Sequence, residues 1–288
     1  MKKVLITGAG GCSGKYLTQY LKSQSDHELF LTDRNNLNEN NFIKADILSV
    51  SELEKVLEVS NPDYIYHLAG TVTNNFEIDY NSNVLSTKNI FDYVIKNGLK
   101  TKILLIGSAA EYGIVENNKN PVKESHSLLP VSVYGLTKVF QTELFQYYFR
   151  IKKLNIVMAR TFNLNAKGLK ENLFIGKLYK QIEEWKEAKR SKFEFGSLES
   201  YRDYIHINDA VKYYVLLMHF GKAGEVYNVG SGNSIQMKEL MRSILNKENI
   251  KDFEVVENSY IPLGKQNVSN IYANIEKLKK IIKMNKVI

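Results

Sequence analysis

The chain has 288 residues, 44% hydrophobic and 24% charged, an ordinary globular composition long enough to bury a large core. A net charge of +8 raises nucleic acid as a partner, but the lysines are scattered among acidic residues with no arginine-rich block, so none is expected. No stretch approaches the roughly 20 apolar residues that span a bilayer, and one cysteine excludes an intrachain disulfide, so a cytoplasmic protein with no membrane partner is expected.

The N-terminal lysines precede only Val4, Leu5 and Ile6 before the glycines begin. A secretory signal needs about 7–15 apolar residues, so Val4–Thr7 reads as a first buried strand. Further strands are predicted at Glu28–Thr32, Phe42–Ala45, Tyr64–Leu68, Ile103–Ile106 and Ile156–Ala159. Helices are predicted at Lys15–Lys22, Glu52–Val59, Val84–Lys96 and Val139–Arg150. This alternation predicts an α/β fold, a doubly wound parallel sheet of the Rossmann type with helices on both faces.

Beyond Arg160 the pattern loosens. A helix at about Asn172–Ala188, strands near Phe193–Phe195 and Val226–Val229, and helices near Met237–Asn246 and Ile275–Lys283 are expected. In the last helix, Lys277, Lys279, Lys280, Lys283 and Lys286 fall around Leu278, Ile281 and Ile282 and read as its wet face. Residues 1–162 are expected to form the nucleotide-binding domain and 163–288 mainly a smaller lobe, with segments near 203–232 returning to the first. The cleft between them is the default ligand site.

The first strand runs into Thr7-Gly8-Ala9-Gly10-Gly11-Cys12-Ser13-Gly14. A phosphate-binding P-loop fails here twice, at Ala9 and at Tyr16, where a glycine and a hydroxyl residue are required. The common dinucleotide spacing fails at Ser13. Gly8, Gly11 and Gly14 do recur every third residue. Between a strand and a helix, such glycines let backbone N–H groups approach a pyrophosphate at the positive helix end. Cys12, Ser13 and the three glycines are therefore candidate cofactor contacts. Asp33 ends the second strand, where a carboxylate accepts from ribose hydroxyls and repels a 2′-phosphate. That favours NAD(H), with NADP(H) as the alternative because Arg34 follows.

With these features the chain resembles the extended short-chain dehydrogenases/reductases over nearly its whole length. Thr7–Gly14 is similar to the family loop Thr-Gly-x-x-Gly-x-x-Gly. Ala45-Asp46-Ile47 resembles the adenine-holding segment, implying cofactor contacts from Asp46 and Ile47. His67-Leu68-Ala69-Gly70 resembles the turn whose backbone, at Leu68, Ala69 and Gly70, lines the cofactor. Asn83 matches a structural asparagine grouped with that site. Gly107-Ser108-Ala109-Ala110-Glu111-Tyr112-Gly113 resembles the segment bearing the catalytic hydroxyl, and Tyr134-Gly-Leu-Thr-Lys138 the family's Tyr-x-x-x-Lys.

The resemblance implies that Ser108, Tyr134 and Lys138 are catalytic. Tyr134 would move the proton on the reacting oxygen, and Ser108 would hydrogen-bond that oxygen. A free phenol titrates near 10, so work near neutrality calls for a fall of roughly 3 pH units, worth about 4 kcal/mol. Lys138 and a positive nicotinamide ring are expected to supply it. Lys138 lies one helical turn from Tyr134, on the same face. A Tyr-x-x-x-Lys spacing alone is weak in a chain with 18 tyrosines; Ser108 after a strand strengthens it. No metal site is expected.

Ala109 and Ala110 follow Ser108 where family 4,6-dehydratases carry acid/base side chains, and Glu111 is one position out of register. Dehydration is therefore not expected. The most detailed resemblance is to reductases of GDP-4-keto-6-deoxy-mannose and related keto sugars, through Gly107–Gly113, Leu129–Tyr134, Arg160–Asn163 and Tyr201–Asp209. It implies a nucleotide-diphosphate sugar partner contacted by Ser108, Ala109, Tyr134, Asn163 and Arg202, with Lys180 and Lys265 as weaker candidates. His206 and Asp209 are expected to be structural, Asp209 capping a helix from about Ala210. An NDP-sugar 4-epimerase with tightly bound NAD is the second reading, and a non-catalytic NAD-sensing protein the third. The resemblance also implies a homodimer through the Val84–Lys96 and Tyr134 helices. Phe140, Leu144, Phe145 and Tyr148 serve either that seam or the subunit interior.

Overall fold

The computed structural model describes residues 1–24, 26–258 and 268–285. Val4, Leu5 and Ile6 are fully buried in β1 (Lys2–Thr7). Alternation sends Val4 and Ile6 into one core layer and Leu5 into the other. There follow α1 (Cys12–Lys22), β2 (His27–Asp33), β3 (Phe42–Lys44), α2 (Val50–Ser60), β4 (Tyr64–His67), the short α3 (Phe76–Tyr80) and α4 (Ser86–Lys96). A single π-helical turn, Asn81–Leu85, joins α3 to α4. Next come β5 (Lys102–Ser108), α5 (Val133–Arg150) and β6 (Ile156–Thr161).

The second half contributes β7 (Asn163–Asn165), α6 (Phe174–Lys186), β8 (Lys192–Phe195), β9 (Tyr201–Arg202), β10 (Tyr204–His206), α7 (Ile207–Phe220) and β11 (Val226–Val229). It ends with β12 (Ile235–Gln236), α8 (Met237–Lys247), β13 (Glu254–Glu257), β14 (Asn270–Ile271) and α9 (Glu276–Met284). No helix among the described residues is long and apolar enough to cross a membrane.

Seven parallel strands form the central sheet in the order β11-β6-β5-β4-β1-β2-β3. This is the doubly wound order with one strand added beyond β6, and the order reverses between β1 and β4. One face is covered by Leu17 and Leu21 of α1, Val211, Tyr214 and Leu217 of α7, and Leu278 and Ile281 of α9. The other is covered by Leu53 and Leu57 of α2, Ile90 and Phe91 of α4, and Phe145 and Tyr148 of α5. Phe145 and Tyr148 therefore belong to the subunit interior, whereas Phe140 is 36% exposed and stands edge-on to Tyr80. Burying a side chain such as Phe91 stabilises the fold by about 1.5–3 kcal/mol.

A separate core of α6, β8 and α8 side chains, including Leu178, Phe193 and Met241, forms the second lobe. Two local expectations change. Helix α7 begins at Ile207, earlier than expected, so its cap is His206, whose Nδ1 accepts from Asn208 N at 3.3 Å. Asp209 instead sits in the first turn, 3.7 Å from Lys212. Lys277 is not on the wet face of the last helix: it donates to Glu225 and to the Val226 carbonyl, both at 2.6 Å, and clamps α9 to β11.

Candidate active site

The switch point between β1 and β4 opens into a cleft of about 280 Å³. Gly8, Gly11, Asp33, Arg34, Asp46, Ile47, Leu68, Ala69 and Gly70 all line it. Gly8 has φ +69°, and a Cβ there would lie 2.7 Å from Ala69 N, so the loop passes too close to the β4 turn for a side chain. Helix α1 begins beside the cleft with no side-chain cap and no acidic residue in its first turn. Its unpaired N–H groups and dipole suit a bound anion. Asp33 accepts from Gly10 N and Asn35 N, both at 3.0 Å, which leaves a lone pair on each oxygen for a ribose hydroxyl. These residues fit a dinucleotide.

Of the predicted cofactor contacts, Cys12, Ser13, Gly14, Asn83, Tyr134 and Lys138 do not line this cleft. A Cβ on Gly14 would meet Gly8 O at 2.4 Å, so this glycine packs the helix onto the strand turn. The Asn83 side chain accepts from Thr71 N and donates to Thr71 O and Thr137, which ties the cleft wall to α5. The Cys12 thiol is raised above its usual range by burial, against the nearby Lys15 charge. Sequence reasoning missed Gly10 and Asn35, neighbours of predicted residues, and Ser82, Ser86 and Lys170, which only tertiary folding brings to the cleft.

Ser108 ends β5 and Tyr134 lies in the first turn of α5, whose cap Ser132 accepts from Gly135 N at 3.0 Å. Tyr134 N donates to Asn74 Oδ1 at 3.3 Å, fixing the helix start against the cleft wall. Burial pushes the Tyr134 phenol up to about 12, and its hydrogen bond with Ser108 pulls the other way. The Glu111 and Asp79 carboxylates push it further up. The expected fall toward neutrality is therefore not built into the polypeptide. Lys138 spends two N–H groups elsewhere, on Ile106 O and Gln141 Oε1, each at 2.6 Å. Burial holds Lys138 down at about 8, against the Glu111 carboxylate.

Directly behind Ser108 lies a buried ion pair. Glu111 is 0% and Arg160 2% exposed. Glu111 accepts from Ser108 N at 2.7 Å, from Thr142 at 2.7 Å, and from Arg160 Nη2 and Nε at 2.8 and 2.9 Å. Arg160 also donates to Tyr112, whose hydroxyl donates to Asn228. Glu111 is thus committed to structure and unavailable to move protons.

Asn163 is exposed and donates through N and Nδ2 to the carbonyl oxygen of Asp203, the residue after Arg202, both at 3.1 Å. Arg202 is held below its usual range by burial, with the Tyr204 phenol opposing. Asp203, which sequence reasoning passed over, is fully buried and accepts from Ser231, Gly232 and Ala273 N–H groups. It pins the Arg202 strand to the segment after β11. Lys180 is exposed on α6, where its charge acts on Glu187 at the end of that helix. Lys265 lies outside the described residues.

Residues 4–230 match the profile of the NAD dependent epimerase/dehydratase family. The chain belongs to this family, the extended branch of the short-chain dehydrogenases/reductases. It is 29% identical over 279 residues to dTDP-4-dehydro-6-deoxyglucose reductase of Escherichia coli, covering 87% of this chain and 84% of the relative. It is 26% identical over 262 residues to GDP-6-deoxy-D-mannose reductase of Pseudomonas aeruginosa, covering 89% and 83%. Relatives named as a putative 4-epimerase and a 4,6-dehydratase match at similar identity. In fold it is similar to RMD from Pseudomonas aeruginosa complexed with NADPH, with a TM-score of 0.85, 23% identity and coverage of 98% and 92%.

Proposed function

We propose that the protein is an NAD(P)H-dependent reductase of a nucleotide-diphosphate 4-keto-6-deoxy sugar. The observation that carries this reading is the single proton-bearing group at the reacting position. Tyr134 is hydrogen-bonded to Ser108, alanines fill the next two positions, and the Glu111 carboxylate is spent on Arg160. With its pKa pushed up to about 12, the Tyr134 phenol stands protonated through the neutral range, the form from which a proton is given.

A bound nicotinamide dinucleotide would supply the hydride to the keto carbon. Tyr134 then donates its O–H to the keto oxygen, and Ser108 steadies that oxygen with a hydrogen bond. Lys138 has one N–H left for a nicotinamide-ribose hydroxyl or the phenol. Arg202, with Asn163, would take the substrate diphosphate through paired charge-assisted bonds. Asp33 favours NADH, and Arg34 keeps NADPH in play. Two of the matched relatives are reductases of such sugars, which supports the same reading.

The test generates NDP-4-keto-6-deoxyhexoses in situ with GDP, dTDP, UDP and CDP and follows nicotinamide absorbance with either cofactor. Stoichiometric oxidation with one base is expected. No oxidation, with a 4-epimerised product formed in catalytic NAD, would replace the reductase with the epimerase.

A further inference from the structure

The second lobe sends one cation into the dinucleotide cleft. After β7 the chain runs through residues 166–172 before entering α6, and Lys170 from this segment lines the cleft. The segment is anchored at two places on the first lobe. The Cys12 thiol contacts Lys167 O at 3.5 Å, at the start of α1. Asn172 Nδ2 donates to Val72 O at 2.8 Å, just past the β4 turn. On its outer side Lys167 pairs with Glu248 at 2.7 Å, which holds it to α8. A Cβ on Gly176 would lie 2.1 Å from Lys170 O, so α6 packs directly against this strap.

Those two anchors fix which part of a dinucleotide the strap crosses. Cys12 marks the helix N-terminus, where the pyrophosphate belongs, and Val72 marks the wall beyond Gly70. Asp33, Arg34 and Asn35, the ribose end, line the same cleft, but neither anchor of the strap is made to them. Lys170 is exposed and, among the described residues, has no carboxylate partner.

We infer that Lys170 is a cofactor-positioning residue whose ammonium pairs with the pyrophosphate of the dinucleotide and so ties the strap of the second lobe to the bound cofactor. This rests on the dinucleotide reading above. The pyrophosphate carries charge on both phosphates, and the uncapped helix end supplies donors from one side only. Lys170 adds a charge-assisted bond from the other side.

The test measures binding of NADH, NADPH and ADP-ribose by fluorescence and calorimetry to the intact protein and to Lys170→Ala, Lys170→Arg and Lys189→Ala. Lys170→Ala should raise Kd about tenfold for all three ligands, since all share the pyrophosphate. Lys170→Arg should restore most of the loss, and Lys189→Ala, on the surface after α6, should change nothing. Asn172→Ala, which cuts one anchor, should weaken all three by a smaller factor. A loss confined to NADPH would place Lys170 at the 2′-phosphate and overturn the inference, as would an unchanged Kd in Lys170→Ala. Wild-type protein that binds no dinucleotide would remove the dinucleotide reading itself.

Discussion

The Lys138 ammonium donates to the Gln141 side-chain carbonyl across 2.6 Å, and the Gln141 amide carries the contact on to Thr87 and so to the buried ring of His67. The donors assign themselves along this chain. The Thr87 hydroxyl is spent on Asn83 O at 2.7 Å, so its oxygen accepts from both Gln141 and His67 Nε2–H. The Thr7 hydroxyl then donates to His67 Nδ1 at 2.7 Å. His67 is therefore neutral with its proton on Nε2, and it links β1 and β4, the two strands flanking the cleft, to α4 and α5.

Neutral His67 makes stability depend on pH. Burial, reinforced by the Lys138 charge, pulls its pKa down to about 3. Between pH 6.5 and 3 the unfolded chain holds a proton here that the folded chain refuses. Stability should thus be full above about 6.5 and fall below it, by up to about 1.4 kcal/mol per pH unit from this residue. Urea unfolding at pH 7.5, 6 and 5 checks it, because a His67→Gln variant should lose that part of the slope.

Lys138 should impose a second pH dependence, on binding. Its ammonium is present below about 8 and lost above, so apo protein should bind nicotinamide dinucleotide less well as pH rises through that value. Fluorescence titrations from pH 6.5 to 9.5 should show this fall in the wild type. A Lys138→Met variant should bind weakly with no inflection near 8.

Tyr134→Phe removes only the hydroxyl at the head of α5. Turnover should drop by about 10²–10⁴-fold, the usual worth of a general acid, with NADH affinity unchanged. Steady-state rates beside a binding titration separate the two effects. Retained turnover would take Tyr134 out of the chemistry.

The pair behind Ser108 should behave as structure. Glu111→Ala leaves the Arg160 guanidinium buried without its partner, which costs about 3–5 kcal/mol. Chemical denaturation should show that loss directly. If Glu111→Gln abolished turnover at undiminished stability, Glu111 would instead be acting on protons.

Asp33→Ala should relax a preference for NADH over NADPH by removing a charge that repels the 2′-phosphate. It also frees Gly10 N, so both affinities should fall somewhat, NADH more. The ratio of the two Kd values is the measurement.

Much of the first lobe was legible in the sequence because its signals are local. Apolar runs at Val4–Ile6 and Ile103–Leu105, and glycines at every third position, encode strand and turn within a few residues. Asp33 follows from its distance along the chain to that loop, and the residues after β4 from the family resemblance. What could not be read depends on contacts between distant segments. Strands β9, β12 and β14 are two residues each, too short for any period to show. Asp203 gains its meaning from Ser231 and Ala273, and Glu111 from Arg160. The burial and the carboxylates that push the Tyr134 phenol up are likewise three-dimensional facts.

Strand β11 has a consequence for how the chain can be cut. It closes the sheet against β6 only after the polypeptide has built much of the second lobe, and α7 and α9 then cover the same face. A fragment ending at residue 162 would strip α7 from β5 and β6, uncovering Leu104, Val157 and Ala159, and would leave β6 an open edge, a template for intermolecular pairing. The two lobes are thus inseparable as folding units, and any graft of a new second lobe onto this scaffold has to be threaded as an insertion that gives β11 back.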